Sequence, residues 1–285
     1  MSPAQRTFIV VAILFSLSSI TEAQQRPDPN RKITYKVVGE VELQLHVFEP
    51  KAKAKEPRAA IVFFFGGGWN GGSPSQFYPH CRHLADQGMW AAAAEYRVNK
   101  THGTTPFECV ADGKSAIRFV RSHAKELHVD PNRIAASGGS AGGHVAAAVA
   151  TVPGLDERGE SQEISCRPNA LVLFNPVYDN GPDGYGHSRV ADRYEEISPM
   201  HNIRDGIPPA IVFLGTEDKL IPVDTAKTFQ AKMKERGADS RLFLYEGQPH
   251  GFFNFGRSEN QYYEETVAEM DEFLRDHGFL TKASD

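Results

Sequence analysis

The segment Gly138–Gly142, with the sequence GGSAG, places a serine between small residues at the boundary of two predicted elements. A buried strand is predicted before it over Arg133–Ser137, and a small-residue helix after it over 141–151. A serine on so tight a turn has a strained backbone and an exposed Oγ, and glycines flank it because a Cβ would clash there. The amides that begin the helix favour developing negative charge. This context predicts Ser140 as a nucleophile, with an incidental serine in a glycine-rich turn as the alternative.

A serine hydroxyl is a weak nucleophile and needs a neighbouring base. Of the eleven histidines, His250 lies in GQPHGF, on a loop after the last predicted strand. Open α/β sheets place their functional groups at such strand ends. His144 is the competing base, but it lies four residues after Ser140 on the same predicted helix, so its side chain would follow the helix surface. We therefore predict that His250 is the base.

The base needs a carboxylate that fixes its tautomer and orientation. Asp218 follows the predicted strand Ala210–Leu214, and the segment LIP at 220–222 indicates a fixed turn after it. Its neighbour Glu217 is the main competitor, and either acid has the alternative of being a solvated loop residue. The chain order serine, aspartate, histidine is that of α/β-hydrolases and differs from the orders of chymotrypsin and subtilisin.

A second glycine-rich segment closes the predicted buried strand Ala59–Phe65 with Gly66-Gly67-Gly68. Glycines let backbone N–H groups approach an anion without obstruction by side chains, which is what an oxyanion hole requires. Phosphate binding is the competing interpretation, but the P-loop pattern with its lysine is absent. A dinucleotide site is also disfavoured, because residues 66–72 do not give a clean G-x-G-x-x-G.

The elements that position these groups alternate between strand and helix along the chain. An initial hairpin is predicted over Ile33–Val38 and Glu40–Phe48. Further strands are predicted at 59–65, 89–96, 133–137, 170–174, 210–214 and 241–245, and helices at 75–87, 107–127, 141–151, 223–236 and around 263–273. This order predicts an α/β fold with a mostly parallel central sheet and helices on both faces.

Composition and charge narrow the class of protein. The 285 residues are 40% hydrophobic and 24% charged, with a net charge of −5, which is ordinary for a soluble domain. Without a basic excess, nucleic acid is a poor partner. The three cysteines lack the paired short spacings of a zinc site, and the predicted chemistry needs no metal or organic cofactor.

The first 23 residues have the layout of a secretory signal peptide. Arg6 supplies a positive charge, residues 8–17 form a short apolar run, and Thr21-Glu22-Ala23 offers small residues for cleavage. A linker over 24–32 and one catalytic domain over 33–280 would follow. The prediction is a secreted or periplasmic protein with no membrane partner beyond export, with an uncleaved N-terminal anchor as the alternative. One disulfide would then be compatible with Cys81, Cys109 and Cys166, although the sequence does not choose the pair.

Taken together, the motifs resemble those of α/β-hydrolase superfamily esterases. The chain is similar to the acetyl-esterase and hormone-sensitive-lipase-like branch, and to compact carbohydrate esterase domains that remove acetyl or feruloyl groups. The matching segments are FFGGGW (64–69), EYR (95–97), DPNRIAASGGSAGG (130–143), GTEDKLIPV (215–223) and GQPHGF (247–252).

The resemblance implies an α/β-hydrolase fold and a role for each motif. It implies Ser140 as nucleophile, Asp218 as orienting acid and His250 as base, with an oxyanion hole formed by the backbone amides of Gly67, Gly68 and Ala141. Two positions depart from the family pattern: Phe65 replaces a common histidine that supports the glycine loop, and Gly139 replaces a frequent acid before the nucleophile.

The substrate expectation rests on the surroundings of the site. No N-terminal helical cap is expected, because the first predicted strand follows closely after the predicted signal peptide, and Asn175–Asp205, rich in polar residues, would form a small lid at most. Such an open, polar-rimmed site suits an acylated polysaccharide or a small ester better than a triglyceride. A serine peptidase, a lipase and a non-catalytic binding protein are the alternatives. Candidate sugar or acyl contacts are Trp69, Tyr178, Tyr185 and Phe252; ordinary packing is the alternative for each and is favoured for the last.

Overall fold

The computed structural model describes residues 26–281, so the predicted signal peptide and the first two residues of the linker lie outside the described residues. The strands are β1 Arg31–Val38, β2 Val41–Phe48, β3 Arg58–Phe64, β4 Trp90–Ala94, β5 Val129–Gly139, β6 Ala170–Phe174, β7 Ala210–Gly215 and β8 Ser240–Tyr245. The α-helices are α1 Tyr78–Asp86, α2 Asn99–His102, α3 Pro106–Ser122, α4 Ala141–Thr151, α5 His187–Val190, α6 Val223–Glu235 and α7 Gln261–Asp276. Short 3₁₀ helices span Pro74–Phe77, Ala191–Glu196, Pro199–His201 and Ser258–Asn260.

The strands form one eight-stranded sheet in the order β1-β2-β4-β3-β5-β6-β7-β8. The hairpin β1–β2 and the pair β2–β4 are antiparallel, and the other five pairs are parallel. Successive residues of β3 contribute to different cores: Val62 and Phe64 pack with α3, α4 and α6, whereas Ile61 and Phe63 pack with α1 and α7. The predicted α/β-hydrolase architecture, with helices on both faces, is confirmed.

The third helix ends earlier than its apolar periodicity predicts. It begins with a capping box, in which Thr105 and Glu108 satisfy each other's backbone amides, and it ends at Ser122 instead of residue 127. Val129 pairs with Arg58 on β3, so the chain must leave the helix to reach the sheet. The turn is completed at His128, whose φ is +54°.

A buried ion cluster ties the antiparallel hairpin to the rest of the domain. The Asp112 carboxylate on α3 accepts hydrogen bonds from the backbone amide and guanidinium of Arg97 and lies 2.6 Å from Lys36 Nζ on β1. Glu157 pairs with both cations. The EYR motif thus supplies a structural cation, and the burial of Asp112 requires this full set of partners.

All three cysteines are free thiols, with Cys81 and Cys109 buried and Cys166 half-buried. The disulfide that export would allow is therefore not formed. Across residues 26–281, no helix combines the length and the apolar character needed to cross a bilayer. In the same part of the chain, no group of three or more His, Cys, Asp or Glu side chains is arranged to hold a metal ion.

Two buried histidines are expected to make the folded protein less stable at acidic pH. His80 packs among aromatic rings with no hydrogen bond to either ring nitrogen, and burial lowers its pKa to about 3. Burial also lowers the pKa of His144 to about 4. Unfolded histidines titrate near pH 6.5, so below about that pH the unfolded chain binds protons that the folded chain does not.

We therefore expect the free energy of unfolding to fall as the pH drops from about 6.5 towards 4, by up to about 1.4 kcal/mol per pH unit for each histidine. Urea denaturation at several pH values measures this slope. His80→Leu removes one titrating group, so the variant should show the shallower slope. Equal slopes for the variant and the wild type would contradict the assignment.

Candidate active site

Ser140 lies at the corner between β5 and α4 in a backbone conformation that few residues adopt, with φ 55° and ψ −121°. A Cβ at Gly138 would stand 2.4 Å from the Gly142 carbonyl oxygen, and a Cβ at Gly142 would stand 2.0 Å from that of Phe64. Both flanking glycines are thus required by close backbone contacts. The strain aims the hydroxyl away from the sheet, as the sequence predicts.

Three side chains from different strand ends form one hydrogen-bond chain. His250 Nε2 lies 2.9 Å from Ser140 Oγ, and His250 Nδ1 lies 2.7 Å from Asp218 Oδ2. The other oxygen of the Asp218 carboxylate accepts the backbone amides of Leu220 and Ile221 at 2.9 and 3.0 Å. These bonds fix the buried carboxylate, which in turn can fix the imidazole tautomer with Nδ1 protonated.

The two competing residues lie elsewhere. His144 is fully buried on α4, where its ring packs edge-on against Trp69. Glu217 is exposed, and its backbone amide donates to the Gln248 carbonyl oxygen. Ser140 is therefore hydrogen-bonded to His250 and not to His144, and the carboxylate beside His250 is that of Asp218.

The glycine loop after β3 presents unused amides to the same point. Gly67 and Gly68 have φ values of +130° and +62°, conformations that suit glycine, and both line the cavity beside Ser140. Within residues 26–281 their N–H groups donate to no protein acceptor. Ala141 is the first residue of α4, so its N–H has no intrahelical acceptor. These three amides can bind an oxyanion.

The glycine loop keeps its shape without the histidine that Phe65 replaces. The Phe65 ring stacks on Tyr96 at a centroid distance of 4.2 Å, and the Tyr96 hydroxyl donates to the Phe65 carbonyl oxygen. Gln76 Oε1 accepts the Gly66 amide at 2.7 Å, while its Nε2 donates to Asn254. Sequence reasoning missed Gln76, because nothing local marks a glutamine in a short helix as a support for a distant loop.

The second departure from the family pattern, Gly139 in place of a frequent acid, has a steric reason. A Cβ at Gly139 would stand 2.8 Å from the Phe253 ring and 3.3 Å from the Phe77 ring. These two rings stack on each other in the aromatic core beneath the serine. An acidic side chain before the nucleophile has no room in this packing, so glycine replaces it.

Asn175 is a further residue at the site that the sequence reasoning missed. It follows β6 with φ 34°, its Oδ1 accepts the Gly251 amide at 2.8 Å, and its Nδ2 lies 3.5 Å from His250 Nε2. It thereby holds the loop that carries His250. Its position immediately after a strand and before a proline was the available signal.

A cavity of about 580 Å³ opens above Ser140 and His250. Of the four predicted aromatic contacts, Tyr185 lines it. Trp69 is buried and reaches instead a neighbouring cleft of about 210 Å³. Tyr178 is fully buried against Phe229, and burial followed by the Asp218 charge raises its pKa.

Phe252 is the fourth predicted contact, and it packs on Tyr245 and Tyr262 within the core. Tyr178 and Phe252 therefore belong to the hydrophobic core and do not line the cavity, and for Phe252 this is the packing that the sequence analysis favours. The segment 175–205 folds into short helices beside the cavity, and its Tyr185 and Arg189 line one wall.

Two family models match the chain: BD-FAE over residues 45–177 and the dienelactone hydrolase family over 184–281. Among curated proteins, an acetylxylan esterase from Xylanibacter ruminicola is 26% identical, with 86% of this chain and 50% of the relative covered. An isoprenylcysteine alpha-carbonyl methylesterase from Arabidopsis thaliana is 29% identical, with 68% and 50% covered. The chain thus spans about half the length of these relatives.

Solved structures match over nearly their whole length. Esterase 2 of Thermogutta terrifontis, phosphorylated by paraoxon, is 46% identical to this chain with a TM-score of 0.85, and the match covers 91% of this chain and 98% of that one. The propionate-bound form is likewise 46% identical with a TM-score of 0.85, over 89% and 96%. On this similarity and the fold described above, the chain belongs to the α/β-hydrolase esterases.

Proposed function

We propose that this protein hydrolyses carboxylic esters with Ser140 as nucleophile, His250 as base and Asp218 as the orienting carboxylate. The observation that carries the proposal is the hydrogen-bond chain from Ser140 Oγ through the imidazole to Asp218, at the floor of an open cavity. The esterase from Thermogutta terrifontis, whose structure carries a phosphoryl group from paraoxon, supports the assignment of this chemistry.

The geometry supports a two-step acyl transfer. Ser140 Oγ forms a bond to the ester carbonyl carbon while His250 Nε2 takes the hydroxyl proton. The amides of Gly67, Gly68 and Ala141 bind the oxyanion of the tetrahedral intermediate. The bond between the acyl carbon and the leaving oxygen then breaks, and His250 returns the proton to the alcohol. Water attacks the acyl-enzyme by the same route and releases the acid.

We further propose that the substrates are acetylated or feruloylated carbohydrates outside the cytoplasm. The cavity wall contains Asn70, Gln76 and Asn254, and the adjoining cleft adds Asn99 and Thr104. Such hydrogen-bonding side chains suit sugar hydroxyls better than a lipid. The acetylxylan esterase among the relatives supports this choice, and export rests on the signal peptide expected over residues 1–23.

A labelling experiment and a substrate panel test the proposal. A fluorophosphonate probe should form an adduct that mass spectrometry locates on Ser140, and p-nitrophenyl acetate should be turned over. Acetylated xylan or methyl ferulate should be cleaved more efficiently than long-chain p-nitrophenyl esters or peptide p-nitroanilides. Absence of both adduct and turnover would favour a non-catalytic binding protein, whereas activity confined to long-chain esters or to anilides would overturn the carbohydrate assignment.

A further inference from the structure

The cavity above Ser140 is lined by positive charge, although the protein as a whole has a negative net charge. Three arginines line it, Arg26, Arg189 and Arg257, and no aspartate or glutamate lies among its described lining residues. None of the three forms an ion pair with a carboxylate of residues 26–281. The whole chain has 31 basic and 36 acidic residues, so this local excess runs against the composition. Clefts lined by one sign of charge concentrate ligands of the opposite sign.

Arg189 is held against the glycine loop after β3, and most of its N–H donors make no hydrogen bond to the described protein. Its Nη1 donates to the Gly68 carbonyl oxygen at 2.7 Å, and its guanidinium carbon lies 5.6 Å from the ring centroids of Trp69 and Tyr185. A guanidinium has five N–H donors. One of them is used by the protein, and the rest can meet a ligand at the boundary between the cavity and the 210 Å³ cleft.

Arg257 also lines the cavity, beside the loop that carries His250. A methyl group at Gly251 would stand 3.5 Å from Arg257 Nη1, so this guanidinium lies against the residue that follows His250. In the proposed reaction His250 hands its proton to the departing alcohol, and the alcohol part of the ester must therefore pass this side of the cavity. A charge on the alcohol would come within reach of Arg257.

We propose that this site selects esters whose alcohol part carries a carboxylate, such as an acidic sugar, with Arg257 as its main partner and Arg189 and Arg26 adding to the field. The inference rests on the proposed ester hydrolysis. Guanidinium groups match carboxylates in a two-point hydrogen-bonded geometry, which distinguishes a carboxylate from a neutral group of the same size.

A matched pair of probes tests this selectivity. 4-Acetoxybenzoate carries a carboxylate on its leaving phenol, and 4-acetoxybenzamide is its neutral counterpart. We expect kcat/KM to favour the benzoate by roughly tenfold at low salt, since more than one arginine contributes. The preference should shrink between about 0.01 M and about 1 M salt, where the Debye length falls from about 30 Å to about 3 Å.

Arg257→Gln should lower the ratio of the two kcat/KM values roughly fivefold, the upper range for an exposed charge pair. Arg158→Gln is the matched control, because Arg158 is an exposed arginine on the loop before β6 and is not among the residues that line the cavity. Its ratio should equal that of the wild type. A purely structural Arg257 would lower both rates together and leave the ratio unchanged, which would overturn the inference.

A second pair separates the two ends of the ester. The glutarate half-ester of 4-nitrophenol carries its carboxylate on the acyl part, and 4-nitrophenyl pentanoate is its neutral counterpart. A preference for the charged ester in this pair alone would overturn the assignment to the alcohol side. Turnover of both members of each pair with equal efficiency would leave ester hydrolysis standing and remove the selectivity. Turnover of none of the four would remove the proposed function itself, and the inference with it.

Discussion

Replacement of Ser140 by alanine is expected to lower the kcat for p-nitrophenyl acetate by at least about a thousandfold. In the proposed mechanism the Ser140 hydroxyl oxygen forms the acyl-enzyme, and neither the imidazole nor the amide donors can replace it. The backbone at this position is strained for serine and alanine alike, so the substitution adds no new strain. The free energy of unfolding should therefore stay close to that of the wild type. Steady-state kinetics and urea denaturation measure the two quantities.

Ser75→Ala is the matched control for this variant. Ser75 also lines the cavity, but its hydroxyl lies 3.0 Å from Ser73 Oγ instead of a histidine. The amide of Ser75 keeps its bond to Ser73 Oγ in the variant, so the short helix retains its cap. We expect turnover within a few-fold of the wild type. If Ser140→Ala retained more than roughly a thousandth of the wild-type activity, Ser140 would lose its assigned role.

The positions of the reactive side chains could be predicted because each follows a strand. Ser140, Asp218 and His250 follow the ends of β5, β7 and β8 by one, three and five residues, and parallel strands bring their carboxyl ends to one edge of a sheet. The need for glycine around Ser140 was also visible in the sequence as the pattern G-x-S-x-G, and the close contacts at Gly138 and Gly142 explain that need. The alternating order of strands and helices can be read from the sequence, and in a parallel sheet this order brings Ser140 and His250 close together.

The walls of the cavity could not be predicted in the same way. Whether an aromatic ring faces the core or the cavity depends on loop geometry, and no periodicity reports that geometry. Tyr178 stacks on Phe229 from α6, a contact between residues far apart in the sequence, whereas Tyr185 a few positions later faces the cavity. Arg189 and Arg257 lie in segments without regular alternation, and their convergence on one cavity depends on tertiary structure.

The second variant with a large expected effect changes the buried carboxylate. Asp218→Asn is expected to lower kcat by roughly 10³–10⁴, as in other serine hydrolases of this kind. The asparagine oxygen can still accept the amides of Leu220 and Ile221, so the turn should persist. Its NH₂ group would then face His250 Nδ1 and donate to it. The imidazole would carry its proton on Nε2, where it can no longer accept the hydrogen of Ser140 Oγ.

The neighbouring acid provides the control that this prediction needs. Glu217→Gln makes the same chemical change at an exposed side chain that does not reach His250, and we expect its kcat to match the wild type. Asp218→Ala should additionally destabilise the fold, because the buried amide of Ile221 would lose its acceptor at about 1–3 kcal/mol and the partly buried amide of Leu220 would lose the same acceptor. Kinetics and urea denaturation of the three variants distinguish two roles of Asp218, which are to orient His250 and to support the turn that follows it. Loss of activity in Glu217→Gln with retention in Asp218→Asn would reverse the assignment of the carboxylate.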